Sequence, residues 1–449
     1  MERILKRLKE NAEVADVFTE RTTICLIQAE NKKIEKATAG RDSGVGMRVL
    51  KDKKTVYGFT NDINPSRLEE LADFLSKEKK HKTQSFSMRE WNVSTPVKIP
   101  PWDVNFKEKV NIVQRAQEVA WKKSKYVRQV KVLYREVLRD FSIYSSLGCV
   151  INEKQIRILF YVQVVTEKNG VLQTGYEPIG ITGGLELFED VFPEEVAERA
   201  VERALKMLFA SPAPTGTMPV VLSGEAGGTM IHEAIGHGLE ADLALEGLSV
   251  YANKLGEQVA SPLITVIDDP TLPKQFGSYA YDDEGVKAKK TILIENGVLK
   301  NYLFNLEYAY KNGTESNGHG RRQSYRFKPI PRMANTYVAP GKHSPSEIIR
   351  QVERGLFVKK MGGGQVNTVN GDFVFEANEA YLIEKGEVGK PVRGAILVGN
   401  GPKVLASIPM VGNDLHFGIG TCGKDGQLVP VGDGQPTLLI PEIVVGGTH

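Results

Sequence analysis

Cysteine is scarce in this chain of 449 residues. Cys25, Cys149 and Cys422 are odd in number and far apart, which excludes the disulfide framework that holds small secreted domains together. Cys25, between Ile24 and Leu26, reads as a packing residue. Long apolar runs are missing too: none approaches the roughly 18 to 20 residues that a membrane-crossing helix needs. The amphipathic start from Met1 to Glu10 has no small-residue cleavage site after it. These absences point to a cytoplasmic location and no membrane partner. Nor is there an excess of one charge. A formal +3 over the whole length lacks the concentrated basic face that a nucleic-acid partner demands, and the densest basic stretch, Lys77 to Lys82, reads as a solvated loop.

What is present is an ordinary globular composition, 41% hydrophobic and 25% charged, in a chain too long for one core. Residues 14 to 60 alternate apolar and polar positions between turn signals at 31–33, 39–42 and 51–53, which predicts short antiparallel strands. A helix should start at Asn64-Pro65-Ser66. A second unit follows, with a helix from Asn105 to Lys123, strands near 128–144 and 155–166, and a helix from Pro193 to Leu208. Helices and strands are segregated rather than alternating, so the expected fold class is α+β with two domains. Residues 1–210 form an N-terminal antiparallel sheet with helices. Two prolines and a glycine make 211–217 a linker, and 218–449 form a Gly-rich, β-rich domain carrying a distorted metal-binding helix.

That helix is expected to begin near Thr229 and to carry His232-Glu233-Ala234-Ile235-Gly236-His237. Neutral imidazoles bind zinc, and an adjacent carboxylate can take a proton from water. In a chain with seven histidines such a grouping is informative, but its spacing is i and i+5 instead of the usual i and i+4. A regular helix would set the two rings about 140° apart. Chelation therefore requires an irregular turn at 233–238, such as a π-bulge, made inexpensive by Gly236 and Gly238.

A catalytic zinc needs a third protein ligand. Cys422, His319, His416, Glu240 and Asp242 are the candidates, the two acids alternatively orienting a histidine. Lys424 is placed to stabilise a Cys422 thiolate. His319-Gly320-Arg321-Arg322 is either a donor site for an oxyanion or peptide carboxylate, or a solvated surface turn. Gly362-Gly363-Gly364 lacks the Lys-Ser/Thr ending of a phosphate loop and reads instead as a strand that peptide backbone can approach.

These segments, together with Arg332-Met333-Ala334-Asn335-Thr336 and the stretch Gly418 to Gln427, resemble the TldD/PmbA family, and within it the TldD branch. The resemblance spans the whole second half of the chain. It implies a zinc metallopeptidase with His232, His237 and Cys422 as ligands and Glu233 as base. His319, Arg321, Arg322, Gly363 and Gly364 become candidates for substrate binding. It also implies a dimer, with a TldE/PmbA-type chain or with a second copy, acting on unfolded or short peptides. Two alternatives are a regulatory protein of the gyrase-modulator type with a structural metal, and a peptide-binding subunit without turnover.

Overall fold

The computed structural model describes residues 1–10, 12–76 and 87–447, so the basic stretch at 77–82 lies outside the described residues. The chain is α+β, as its segregated pattern predicts. Its first sheet has seven strands: β1 (Val14–Glu30), β2 (Lys33–Lys51), β3 (Lys54–Thr60), β4 (Arg89–Ser94), β5 (Val127–Ser145), β6 (Cys149–Lys168) and β7 (Val171–Thr182). The order is β3-β2-β1-β5-β6, with β4 and β7 both pairing to β6. All ladders are antiparallel except β4 with β6.

The strands are longer than their sequence suggested. The signals at 31–33 and 51–53 are true hairpins, in which Asn31, Lys32, Asp52 and Lys53 adopt the left-handed conformation that two-residue turns require. The signal at 39–42 is not a turn. β2 runs straight through it, with Ala39 to Asp42 paired to Thr22 to Cys25, so cross-strand pairing overrides a local preference.

Alternation along β5 and β6 turns Val130, Val132, Tyr134, Ile158, Phe160 and Val162 to one face, where the helices Phe106–Lys123 and Pro193–Phe209 cover them. Cys25 is buried in the same core. The first of these helices is capped by Asn105, whose side chain accepts from the Glu108 N–H. Helices Glu2–Lys9 and Pro65–Ser76 cover a second patch through Leu5, Leu8, Leu68 and Ala72.

Of the stretch read as a linker, Ser211 and Pro212 pair with Val392 and Arg393, and the strand Gly216–Leu222 begins inside it. Gly216–Leu222 belongs to an eight-stranded sheet with Leu438–Gly447, Ala395–Asn400, Asp372–Glu384 and Arg354–Val366 among its members. Because Arg354–Val366 pairs with both Gly216–Leu222 and Asp372–Glu384, these five strands close into a ring. A six-stranded sheet ends in the hairpin His416–Lys424 with Gln427–Gln435, turned by Asp425 and Gly426, both at positive φ. The strand His416–Lys424 is at the sheet's edge.

Buried ion pairs join the two halves. Arg48 on β2 faces its register partner Asp16 on β1 at 2.6 Å and also bonds Glu284. Arg139 on β5 bonds Glu20 and, at 2.7 Å, Asp283. Tyr325 lies against β2, and a Cβ on Gly44 would meet its ring at 2.2 Å.

Candidate metal centre

From Gly228 the chain enters an α-helical turn at Thr229–Ile231, widens to a π turn at His232–Gly236 and tightens to a 3₁₀ turn at His237–Leu239. The irregular segment is where the i, i+5 spacing required it. The widening bond joins the two histidines themselves, with the His237 N–H donating to the His232 carbonyl. Met230, Ile231, Ala234, Ile235 and Leu239 are buried in the core that includes the five-stranded ring, which anchors the opposite side of this helix.

The glycines serve a different purpose from the one expected. Gly236 is right-handed helical at φ −52° and ψ −57°, a conformation open to any residue. What it provides is room: a Cβ there would lie 1.9 Å from the Met333 sulfur, and one on Gly238 would lie 2.8 Å from the Tyr251 ring. Gly228 faces backbone instead of a side chain that could move, since a Cβ would meet the Gly434 nitrogen at 2.5 Å. Gly228→Ala is expected to push the helix start off the Gln427–Gln435 strand, costing about 1–3 kcal/mol of stability and weakening metal binding. Thermal melts and a metal titration of the variant check this, and wild-type values in both would remove the packing argument.

The imidazole rings of His232 and His237 stand 5.0 Å apart and nearly perpendicular. Cys422 arrives from the distant hairpin, with its Sγ 3.2 Å from His232 Nε2 and 3.4 Å from His237 Nε2. Ligands at tetrahedral angles around zinc, with bonds of about 2.0–2.1 Å to nitrogen and about 2.3 Å to sulfur, stand about 3.5 Å from one another. The three donors thus fit one small ion. Burial alone would raise the Cys422 thiol, but hydrogen bonds from His232 and His237 bring it down to about 5, making it a thiolate at neutral pH.

Behind the donors lies a layer of charge. Glu240, fully buried, meets His237 Nδ1 at 2.9 Å, which leaves Nε2 facing the thiolate. Burial pushes the Glu240 carboxyl up, but Lys424 and His237 hold it at about 2. Lys424 does not approach Cys422 as its neighbour in sequence suggested. Its Nζ bonds Glu240 at 3.0 Å, Asp242 at 2.7 Å and the Pro331 carbonyl at 3.1 Å: strand alternation puts it on the same face as Cys422, and the carboxylates that follow His237 take up its charge. Glu240 and Asp242 are therefore the partners of a histidine and a lysine rather than members of the donor trio. Arg332 donates to the Cys422 carbonyl at 2.7 Å and fixes the hairpin.

Asp433 escaped the sequence reading. Its Oδ1 lies 3.8 Å from His232 Nδ1, and both atoms are buried without a hydrogen-bond partner. Its place beside the histidine comes from the pairing of the last hairpin, which no local pattern announces. Glu233 projects from the π turn half-buried, with no hydrogen bond or ion pair to other described residues.

A cleft of about 1080 Å³ adjoins the centre, lined by Gly224 to Gly227, Thr229, Asp433, His416 to Ile419, Lys360 and Gly363. Gly363 faces open space there, whereas Gly364 is set against the Phe375 ring, 1.8 Å from where its Cβ would stand, and lies outside the cleft lining. His416 is on the cleft wall and not among the clustered donors.

The segment 319–322 is neither a surface turn nor part of this cleft. His319 is enclosed, bridging Asn317 and Asp268 at 3.0 Å each, so it is not available as a third ligand. Arg321 and Arg322 are buried, Arg321 on the Met333 and Pro430 carbonyls and Arg322 on the Asp283 carbonyl and Asp16. Glycine and arginine in one segment suggested exposure. In the structure, buried acids on both halves of the chain draw it inward.

Models of the PmbA/TldA metallopeptidase family match at residues 15–78 for domain 1, 99–208 for the central domain and 215–447 for the C-terminal domain. A metalloprotease TldD homolog of Haemophilus influenzae is 36% identical over 98% of this chain and 94% of its own length. A metalloprotease of Methanothermobacter thermautotrophicus is 38% identical over 99% of this chain and 98% of its own. Among solved structures, a candidate modulator of a DNA gyrase from Thermotoga maritima superposes with a TM-score of 0.82 at 26% identity, each chain covered to 99%. With all three domain models matched and relatives aligned over nearly their full lengths, the chain belongs to the PmbA/TldD family of metallopeptidases.

Proposed function

We propose that this chain is a zinc-dependent peptide hydrolase in which His232, His237 and Cys422 hold the metal and Glu233 is the general base. The observation that carries the reading is the meeting of three donors, two imidazoles and a thiolate, with Asp433 of the cleft wall facing one of them. Among the described residues no fourth donor joins the three. A structural zinc site would need one, whereas a catalytic site keeps a position open.

His232, His237 and Cys422 would hold the zinc, which would supply Lewis-acid chemistry toward a carbonyl and a water. Glu233 accepts the proton of the attacking water on a carboxylate oxygen and delivers it to the leaving amine nitrogen. Glu240 keeps His237 oriented through Nδ1, and Asp433 faces the corresponding nitrogen of His232. The exposed edge of His416–Lys424 and the open backbone at Gly363 suit an extended peptide that is gripped through main-chain hydrogen bonds. Unfolded or short peptides are thus the proposed substrates, and the working assembly is a dimer with a TldE/PmbA-type chain or a second copy.

The test measures metal content and peptide cleavage for the chain alone and with its partner. Chelation is expected to abolish cleavage and added zinc to restore it. His237→Ala is expected to lose metal by at least about tenfold in affinity, since it removes one of three ligands. Full cleavage after complete metal removal would overturn the proposal. A fully metallated protein that binds peptide without cutting it would instead establish a binding subunit.

A further inference from the structure

A second, smaller cavity of about 170 Å³ lies between the outer face of β5 and β6 and the C-terminal half. Five guanidinium groups line it, those of Arg135, Arg139, Arg157, Arg321 and Arg322. Two are neutralised: Arg139 by Glu20 and Asp283, and Arg322 by Asp16. The other three have no carboxylate within 4.0 Å among the described residues. Arg157 donates to the Phe276 and Ser278 carbonyls at 3.0 and 2.8 Å and to Gln155 Oε1 at 2.8 Å. Arg321 donates to the Met333 and Pro430 carbonyls. Arg135 makes no hydrogen bond to another described residue.

The two acids in the wall cannot answer this charge. Asp282 accepts the backbone N–H groups of Glu284, Val286 and Gly320, while Asp283 is engaged by Arg139 and the Arg322 N–H. Elsewhere in the molecule, buried arginines do have carboxylate partners, as Arg48 does in Asp16 and Glu284 and Arg203 in Glu177 and Glu379. Burial, with Arg321 and Arg139 close by, lowers Arg157 to about 9. Arg321 is buried, Arg157 half-buried and Arg135 exposed; withdrawing such cations from water without a counter-charge is costly, and a bound anion would offset that cost.

Part of the wall is apolar, with Val137, Leu159, Phe276, Leu428 and Val429 beside the polar Gln155, Gln323 and Thr421. Planar guanidinium forks beside hydrocarbon match a carboxylate carried on an apolar group better than a hydrated inorganic ion. We propose that this cavity binds a carboxylate at the end of an apolar residue, either a peptide C-terminus or a free amino acid. The site is distinct from the metal centre but adjacent to it. On the strand that carries Cys422 toward the histidines, the preceding residue Thr421 lines the arginine cavity, and Arg321 holds the Pro430 carbonyl opposite Thr421.

The test uses the full-length chain stripped of metal, so that its outcome is independent of the peptidase reading. Calorimetric titrations compare N-acetyl-leucine, its amide, a Leu-ending tetrapeptide acid and inorganic phosphate. The acids are expected to bind, and the amide at least about tenfold more weakly, the loss of a charge-assisted pair. Tighter binding of the tetrapeptide than of N-acetyl-leucine assigns the site to peptide termini, and equal binding to a single residue. Arg135→Gln, which breaks no hydrogen bond or ion pair among the described residues, is expected to weaken acid binding about tenfold while leaving the melting temperature unchanged. Arg157→Lys should weaken it too, because an ammonium does not fork. Equal affinity for acid and amide, preference for phosphate, absence of binding, or indifference to both variants would each overturn the proposal.

Discussion

Glu233→Gln keeps its metal and loses its cleavage: peptide turnover falls by about 10²- to 10⁴-fold, the usual contribution of a positioned general base, while metal content and melting temperature stay at wild-type values. The separation follows from the geometry. The ligand atoms lie on His232, His237 and Cys422, and Glu233 bonds none of them, so an amide of the same shape leaves the donor trio intact. It also breaks no network, because the Glu233 carboxylate has no partner among the described residues. Metal analysis and steady-state kinetics on the same preparation check the result. Turnover within a few-fold of wild type would remove Glu233 from the mechanism, and loss of metal would make it a ligand.

The largest effect on stability is expected far from the metal. Arg48 is fully buried between Asp16 and Glu284, and its removal leaves Glu284 enclosed without a cation and Asp16 with Arg322 alone, at 3.4 Å. Arg48→Met should cost about 3–5 kcal/mol, the penalty for breaking rather than replacing a buried ion pair. Burial already holds Glu284 above the usual carboxylate range, with Arg48 opposing it. Without Arg48 that carboxyl rises further. A raised folded-state value penalises the fold at pH above the unfolded value, and the penalty fades as pH falls and the acid is protonated. The gap between variant and wild type should therefore shrink from pH 7 toward about pH 5. Adding Glu284→Gln to Arg48→Met should recover part of the loss, which a double-mutant cycle in urea measures. A gap independent of pH, with no recovery in the double variant, would attribute the effect to lost packing alone.

The sequence revealed most where chemistry is local. The hairpins at Asn31-Lys32 and Asp52-Lys53, the Asn105 cap and the helix from Pro193 rest on turn and capping preferences that act within a few residues. The π turn was legible for another reason: two histidines five apart cannot share a face on a regular helix, so the anomaly dictated its own resolution. The role of Gly236 was not legible, since the residue that demands its small size is Met333, on a different segment. Ala39 to Asp42 carried turn residues yet lie in a ladder, because partners on β1 outweigh a local signal. The burial of the segment at 319–322 was not legible because the partners of His319 and Arg322, Asp268 for the first and Asp16 and Asp283 for the second, are not near in sequence. Asp433 shares that cause: its position is set by strand pairing, and its residue type alone does not distinguish it from the other acids.

The π turn has one more consequence, for insertions and deletions. A widened turn takes up one residue more than an α turn, so the chain beyond it keeps the phase it would have after an α turn one residue shorter. Glu240 and Asp242 inherit that phase, and with it their bonds to Lys424, a residue 184 and 182 positions away. Deleting one residue between the histidines would restore the common i, i+4 spacing on an ordinary α turn and leave both acids facing the lysine, whereas a deletion just after His237 would turn them away. The reading frame of this short helix thus ties the donor pair and its charged backing together, so a one-residue deletion is expected to be tolerated inside the widened turn and not between His237 and Glu240.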